Sequence, residues 1–130
     1  MRHVEVVAAI ICYKDEILCM KRPKGKHEYT SFKYEFPGGK KEADETHIEA
    51  LKRELIEEMD KKVEIEKLFL VVNHQYPDFH LTMHCYLCKA NNKEFVMKEH
   101  VEFKWLKKEE LGQLDWTDAD KPILDKLINS

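Results

Sequence analysis

A proline–diglycine corner, Phe36-Pro37-Gly38-Gly39, runs almost directly into a carboxylate-rich helix, and this pairing constrains the chain more than any other feature. Two of the four glycines in 130 residues stand side by side there. Between Glu42 and Glu58 seven acids (Glu42, Asp44, Glu45, Glu49, Glu54, Glu57, Glu58) face two bases, Lys52 and Arg53, a local charge of −5 in a chain of −3 overall. Thr46-His47-Ile48-Glu49 has the form of a capping box, so a helix is expected from Thr46. Ile48, Leu51, Leu55 and Met59 recur at helical spacing and predict its core face. At about 100° per residue, Glu54, Glu57 and Glu58 share one patch on the flank of that face. Like charges three and four residues apart destabilise a helix by a few tenths of a kcal/mol per pair. A solvated face is the ordinary fate of such charge. A divalent cation held by carboxylates and substrate phosphate would offset it.

The rest of the chain reads as strands around this helix. Val4–Tyr13 is too apolar to alternate and reads as a central strand; Lys14-Asp15-Glu16 is a turn and Ile17–Met20 the return strand. Arg22–Lys33 reads as a polar loop. Val63–Asn73 (with a break), Leu81–Cys88 and Glu102–Leu106 read as strands. Lys121–Ile128 reads as a closing helix with Pro122 in its first turn. Strands on both sides of a helix, with a second helix at the end, predict an α+β domain over 1–130: an α/β/α sandwich whose mixed sheet carries helices on both faces.

Bulk properties narrow the function. The 22 Lys and Arg nearly balance 25 Asp and Glu, which argues against a nucleic-acid partner. The apolar N-terminal run is too short to span a membrane and has no small-residue cleavage site. A cytoplasmic protein with no membrane partner, a monomer or a homodimer, is expected. Cys12, Cys19, Cys85 and Cys88 read as small buried side chains. Cys85 and Cys88, three residues apart on a strand, should face opposite ways. Nothing in the sequence makes His74, His80 and His84 converge.

Gly39, Glu45 and Arg53-Glu54-Leu55-Ile56-Glu57-Glu58 together resemble the Nudix box, G-x5-E-x7-R-E-U-x-E-E-x-G-U, at seven of nine defined positions. Asp60 stands in place of the glycine and Lys61 in place of the last aliphatic. Asp60 can take the left-handed conformation of a helix end at a cost of roughly 1 kcal/mol. Glu35-Phe36-Pro37-Gly38-Gly39-Lys40 and Ala119-Asp120-Lys121-Pro122 extend the likeness to the MutT-like branch, which includes CTP pyrophosphohydrolases and 8-oxo-dGTP diphosphatases.

The resemblance implies a Nudix fold and a Mg²⁺-dependent hydrolase, with Mn²⁺ as a substitute, that cleaves a nucleoside triphosphate to monophosphate and pyrophosphate. It implies metal ligands at the Gly38 carbonyl, Glu54, Glu57, Glu58 and Glu99, and a catalytic set of Glu54, Glu57 and Arg53. Glu45 should brace Arg53. Arg22, Glu35, Gly39, Lys40 and Asp120 become substrate contacts, with Arg22 on phosphate and Asp120 and Glu35 on the base. Carboxylate acceptors suit an amino-bearing base, which favours a cytidine-type nucleotide and leaves 8-oxo-dGTP as the alternative. Tyr34, Phe79 and Trp116 are candidate stacking partners, although each also suits a core.

Overall fold

The structure, a computed structural model, describes residues 2–130. Its centre is β1 (Arg2–Tyr13), joined through a turn at Lys14, where φ is +55°, to β2 (Glu16–Lys21). Two short strands follow, β3 (Tyr34–Glu35) and β4 (Gly38–Lys40). Helix α1 (His47–Met59) comes next, then β5 (Glu64–Gln75), β6 (Phe79–Lys89) and β7 (Glu102–Leu106). Two 3-10 turns, Lys108–Gln113 and Asp118–Asp120, lead into α2 (Lys121–Ile128). The sheet runs β3-β2-β1-β6-β5, with β7 on β2 and β4 on β1. β1 and β6 pair in parallel and the other pairs are antiparallel, so the sheet is mixed.

β1 is apolar on both sides because both sides are covered. Val7, Ala9 and Ile11 pack with Leu51, Leu55 and Met59 of α1. Val4, Ala8 and Ile10 pack on the other face with Ile123, Leu124 and Leu127 of α2. This is the α+β sandwich expected. Cys85 and Cys88 fall into opposite layers, as the strand period requires. All four cysteines are free. Cys12 departs from expectation: it is half-buried, at the end of β1 where the covering layers thin out. The expected break in β5 is real, with register shifts at Ile65/Lys67 and Leu68/Leu70.

Helix α1 starts as expected. Thr46 caps it, its hydroxyl accepting from the Glu49 N–H at 3.1 Å while the Thr46 N–H donates to the Glu49 carboxylate at 2.8 Å. Ile48, however, is 43% exposed. The buried row is Leu51, Leu55 and Met59; in the first turn the sheet is met by His47, which bonds Glu5, and Ile48 is turned outward. At the other end Asp60 adopts φ +51°, ψ +44°, its N–H donating to the Ile56 carbonyl at 3.0 Å. Lys61, where an aliphatic was expected, is buried. Its Nζ donates to the Asn92 and Glu94 carbonyls at 3.2 and 2.6 Å and to Asn92 Oδ1 at 3.1 Å. The ammonium thereby ties the 91–101 segment to the end of α1. Among the described residues no helix is long and apolar enough to cross a membrane.

Candidate active site

The corner is held by space rather than by unusual dihedral angles, since neither glycine has positive φ. A Cβ on Gly38 would lie 1.9 Å from the Val7 carbonyl oxygen. One on Gly39 would lie 2.3 Å from Glu54 Oε2. The family resemblance puts the Gly38 carbonyl on a metal. The approaches actually seen are β4 onto β1, and the Glu54 carboxylate onto Gly39. The first seats the corner on the sheet, and the second seats it against the acidic helix.

Arg53 organises that helix. Its Nε and Nη2 donate to both oxygens of Glu45, at 3.0 and 2.6 Å. Nη1 donates to Glu54 at 2.9 Å and Glu57 at 3.2 Å, and Nη2 also reaches the Lys40 carbonyl at 3.0 Å. The guanidinium fork thus fixes two of the expected metal ligands and the strand beside them. Arg53 holds Glu45 well below the usual carboxylate range, at about 2. The expected bracing pair is present.

Glu58 is in the opposite state. It is buried, and its Oε2 is among the buried side-chain atoms with no hydrogen-bond partner. Burial first, then the nearby charges of Glu35, Glu99 and Glu54, push it up to about 9, against a hydrogen bond from the Gly38 backbone. Burial also raises Glu54, while Arg53 lowers it. Glu99 arrives on a segment pinned at both ends. The Val96 N–H donates to the Met59 carbonyl at 2.9 Å and the Val101 N–H to the Lys21 carbonyl at 3.0 Å. Glu54 is half-buried and bonded to Arg53, Glu99 is exposed, and Glu58 is buried with an orphaned oxygen, so the missing positive charge that a hard divalent ion could supply is at Glu58. Glu54, Glu58 and Glu99 fit such an ion. Glu57 stands at the exposed rim, its side chain 56% accessible.

The cluster forms one end of a cavity of about 530 Å³, lined at the other by Asp120, Thr117, Tyr76 and Phe79. Arg22, Glu35, Gly38, Gly39 and Lys40 also line it. Asp120 is buried, with Oδ1 accepting from the Phe36 N–H at 3.4 Å and Oδ2 from the Thr117 hydroxyl. Burial, then the Glu35 charge, raises it to about 7. Glu35 bridges Arg22 Nη1 at 3.1 Å and His100 Nε2 at 3.0 Å. Arg22 Nε is buried without a partner.

Of the three candidate stacking residues, two are core and one lines the cavity. Tyr34 and Trp116 are core: Trp116 packs on Phe36 at 4.7 Å and spends its indole N–H on the Leu111 carbonyl at 2.8 Å. Phe79 does line the cavity. His100 was missed. It is buried, lines the cavity, pairs with Glu35 and leaves Nδ1 without a partner. Its position next to Glu99 was the only available signal.

A mixed sheet, a capped acidic helix and a carboxylate-lined cavity together define an α+β fold with an acidic pocket. Residues 6–126 match the NUDIX domain family. The chain is 31% identical over 128 residues to an Escherichia coli 8-oxo-dGTP diphosphatase, covering 98% of each. It is 32% identical over 142 residues to the E. coli CTP pyrophosphohydrolase, covering 98% of this chain and 93% of that one. The solution structure of the E. coli ORF135 protein superposes with TM-score 0.85 at 29% identity, over 99% of this chain and 91% of that one. The chain belongs to the Nudix family and is a Nudix hydrolase. Nudix hydrolases generally use a divalent metal.

Proposed function

We propose that the protein hydrolyses a nucleoside triphosphate to the monophosphate and pyrophosphate, with a cytidine-type nucleotide (CTP, dCTP or a 5-substituted dCTP) as preferred substrate and Mg²⁺ as cofactor. The buried Glu58 with its orphaned oxygen, beside Glu54 and Glu99 in a cavity of about 530 Å³, supports this reading most directly. Glu54, Glu57, Glu58, Glu99 and the Gly38 carbonyl would hold the metal. When bound, a divalent ion there supplies charge neutralisation for phosphate oxygens and lowers the pKa of water. Arg53 keeps Glu54 and Glu57 in place. Glu54, raised by burial, suits a general base, whose pKa should approach the working pH. Arg22 carries an unspent Nε donor and takes a phosphate oxygen, with Gly39 and Lys40 beside it.

At the far end Asp120 reads the base. With a pKa near 7 it can accept from an amino group and, protonated, donate to an adjacent ring nitrogen. The cytosine N3/N4 edge offers that pair. The same acid can accept from N1–H and donate to O6 of an oxidised guanine, and curated relatives named 8-oxo-dGTP diphosphatase keep that alternative in view. The deciding experiment is product analysis with Mg²⁺ across CTP, dCTP, 5-methyl-dCTP, dGTP, 8-oxo-dGTP and ADP-ribose. Monophosphate and pyrophosphate from the cytidine set are expected. Preference for 8-oxo-dGTP would overturn the base assignment, and no cleavage of any triphosphate would overturn the function.

A further inference from the structure

A second cluster of metal-ligating side chains lies on the α1 side of the sheet. Glu5 comes from β1, in the alternating set that includes Val7 and Ala9. His84 comes from β6, in the set with Tyr86 and Cys88. His47 is the first residue of α1. One donor atom from each lies within 4.8 Å of the other two. His47 Nε2 is 2.7 Å from Glu5 Oε1, and the two imidazole rings are 3.9 Å apart. His84 Nδ1 is buried with no partner. The three residues do not line the carboxylate cavity.

We propose that Glu5, His47 and His84 form a second metal site, for a late first-row divalent ion of the Zn²⁺ type, joining the start of α1 to β1 and β6. The donor chemistry selects the ion. Two imidazoles and one carboxylate suit Zn²⁺, Ni²⁺, Cu²⁺ or Co²⁺, whereas the carboxylates Glu54, Glu58 and Glu99 of the cavity suit Mg²⁺. The spacing is close to what is needed. Ligands about 2.0–2.1 Å from a tetrahedral ion lie about 3.4 Å from one another, so the His47–Glu5 pair at 2.7 Å must open slightly and the other separations, all within 4.8 Å, must close towards that value. Three protein ligands leave a fourth position for water, as in open zinc sites. Without metal the cluster is awkward: two imidazoles face each other, and His84 keeps an orphaned nitrogen. A single Glu5–His47 hydrogen bond would account for two of these residues and not for the third. Metal binding at His47 Nε2 replaces that hydrogen bond, because a ligating nitrogen carries no proton; a neutral ring shifts the proton to Nδ1 and a charged ring gives it to solvent.

The remaining imidazoles nearby are already engaged. His3 Nε2 is 3.1 Å from the Thr82 hydroxyl, and His80 Nδ1 is 3.2 Å from Gln75 Oε1, the two rings lying 5.1 Å apart. They provide a control for misplaced binding. The test is calorimetric titration of the full, metal-free protein with Zn²⁺ in a large excess of Mg²⁺, repeated with Co²⁺ to read tetrahedral coordination from its visible absorption. One equivalent should bind, and the thermal midpoint should rise by several degrees. His84→Ala and Glu5→Gln should each weaken binding by about a hundredfold, at the upper end of what even outer-shell changes cost, and keep Mg²⁺-dependent turnover. His3→Ala should leave binding unchanged, as should Glu57→Gln, which disables the other site. Glu5, at the surface, gives a readable variant if His84→Ala does not fold. Absence of saturable binding under Mg²⁺ overturns the proposal. So does undiminished binding in Glu5→Gln, or loss of binding in His3→Ala or Glu57→Gln.

Discussion

Glu45 and Glu58 are carboxylates of the same sequence motif, and the fold treats them in opposite ways. Glu45 meets the Arg53 guanidinium in a two-pronged pair and is held at about 2. Glu58 sits among other carboxylates with an oxygen unpartnered and is pushed up to about 9. The first charge is compensated inside the protein. The second awaits compensation from outside. Local sequence does not distinguish them; Glu45 lies in the loop before α1 within reach of Arg53, whereas Glu58 lies on α1 where Glu35 and Glu99 come close. The motif thus divides into a self-satisfied frame and a deliberately unsatisfied site, and removing a charge should have different consequences in each.

The largest effect is expected on the unsatisfied side. Glu57→Gln and Glu58→Gln should each lower turnover by about 10²–10³, the scale of removing one preorganised electrostatic group, while the circular dichroism spectrum and melting curve remain those of a folded protein. Turnover within a few-fold of wild type would remove the residue from the metal site. On the frame side, Glu45→Gln should act through Arg53. Turnover should fall about tenfold to a hundredfold, as for outer-shell partners of metal ligands, and the Mg²⁺ concentration for half-activity should rise. Loss as large as in Glu58→Gln, with no change in Mg²⁺ dependence, would erase the contrast.

Stability should show the same contrast as a function of pH. Glu58 and Asp120 have folded-state values raised from 4.5 to about 9 and from 3.8 to about 7. The native state therefore binds more protons than the unfolded state between those limits. In EDTA, stability should be fullest at the acid end of this window and fall as pH rises through 7 towards 9. Glu45 works the other way: its contribution is present above 4.5 and is lost as pH falls through about 2. Urea unfolding from pH 5 to 9 should show the falling slope in EDTA and a flatter one in Mg²⁺. Glu58→Gln should flatten it without metal. An equal slope in wild type and Glu58→Gln would mean that Glu58 does not carry the effect. The smallest change is expected at the base end. Asp120→Asn should alter the ratio of kcat/KM between cytidine and 8-oxoguanine nucleotides by about tenfold, the scale of a single discriminating contact. Identical ratios would remove Asp120 from base selection.

Much of this was legible in the residues. The capping box at Thr46, the 3.6-residue row Leu51-Leu55-Met59 and the doubly apolar β1 follow from short-range rules, the Glu45–Arg53 pair from the family resemblance, and all are present in the structure. Ile48 fits the same helical row yet is exposed, because the packing partner at that turn is a histidine. The strand segment Gly38–Lys40 was invisible as a strand, since two glycines and a lysine have no β signature and pair with β1 only through space. His100 offered only its place beside Glu99, and its pairing with Glu35 appears once the fold has formed.

Sequence alone determined the family motif, the order of the elements, the two-sided sheet and the local excess of carboxylates. Those properties depend on spacing along the chain. Tertiary structure decided which carboxylate is neutralised and which is stranded, why both glycines of the corner are needed, and that Glu5, His47 and His84 meet. Desolvation, orphaned oxygens and donor-to-donor distances depend on which strands and helices approach one another, and residues 42 and 79 positions apart in the chain touch only once the sheet has set their register.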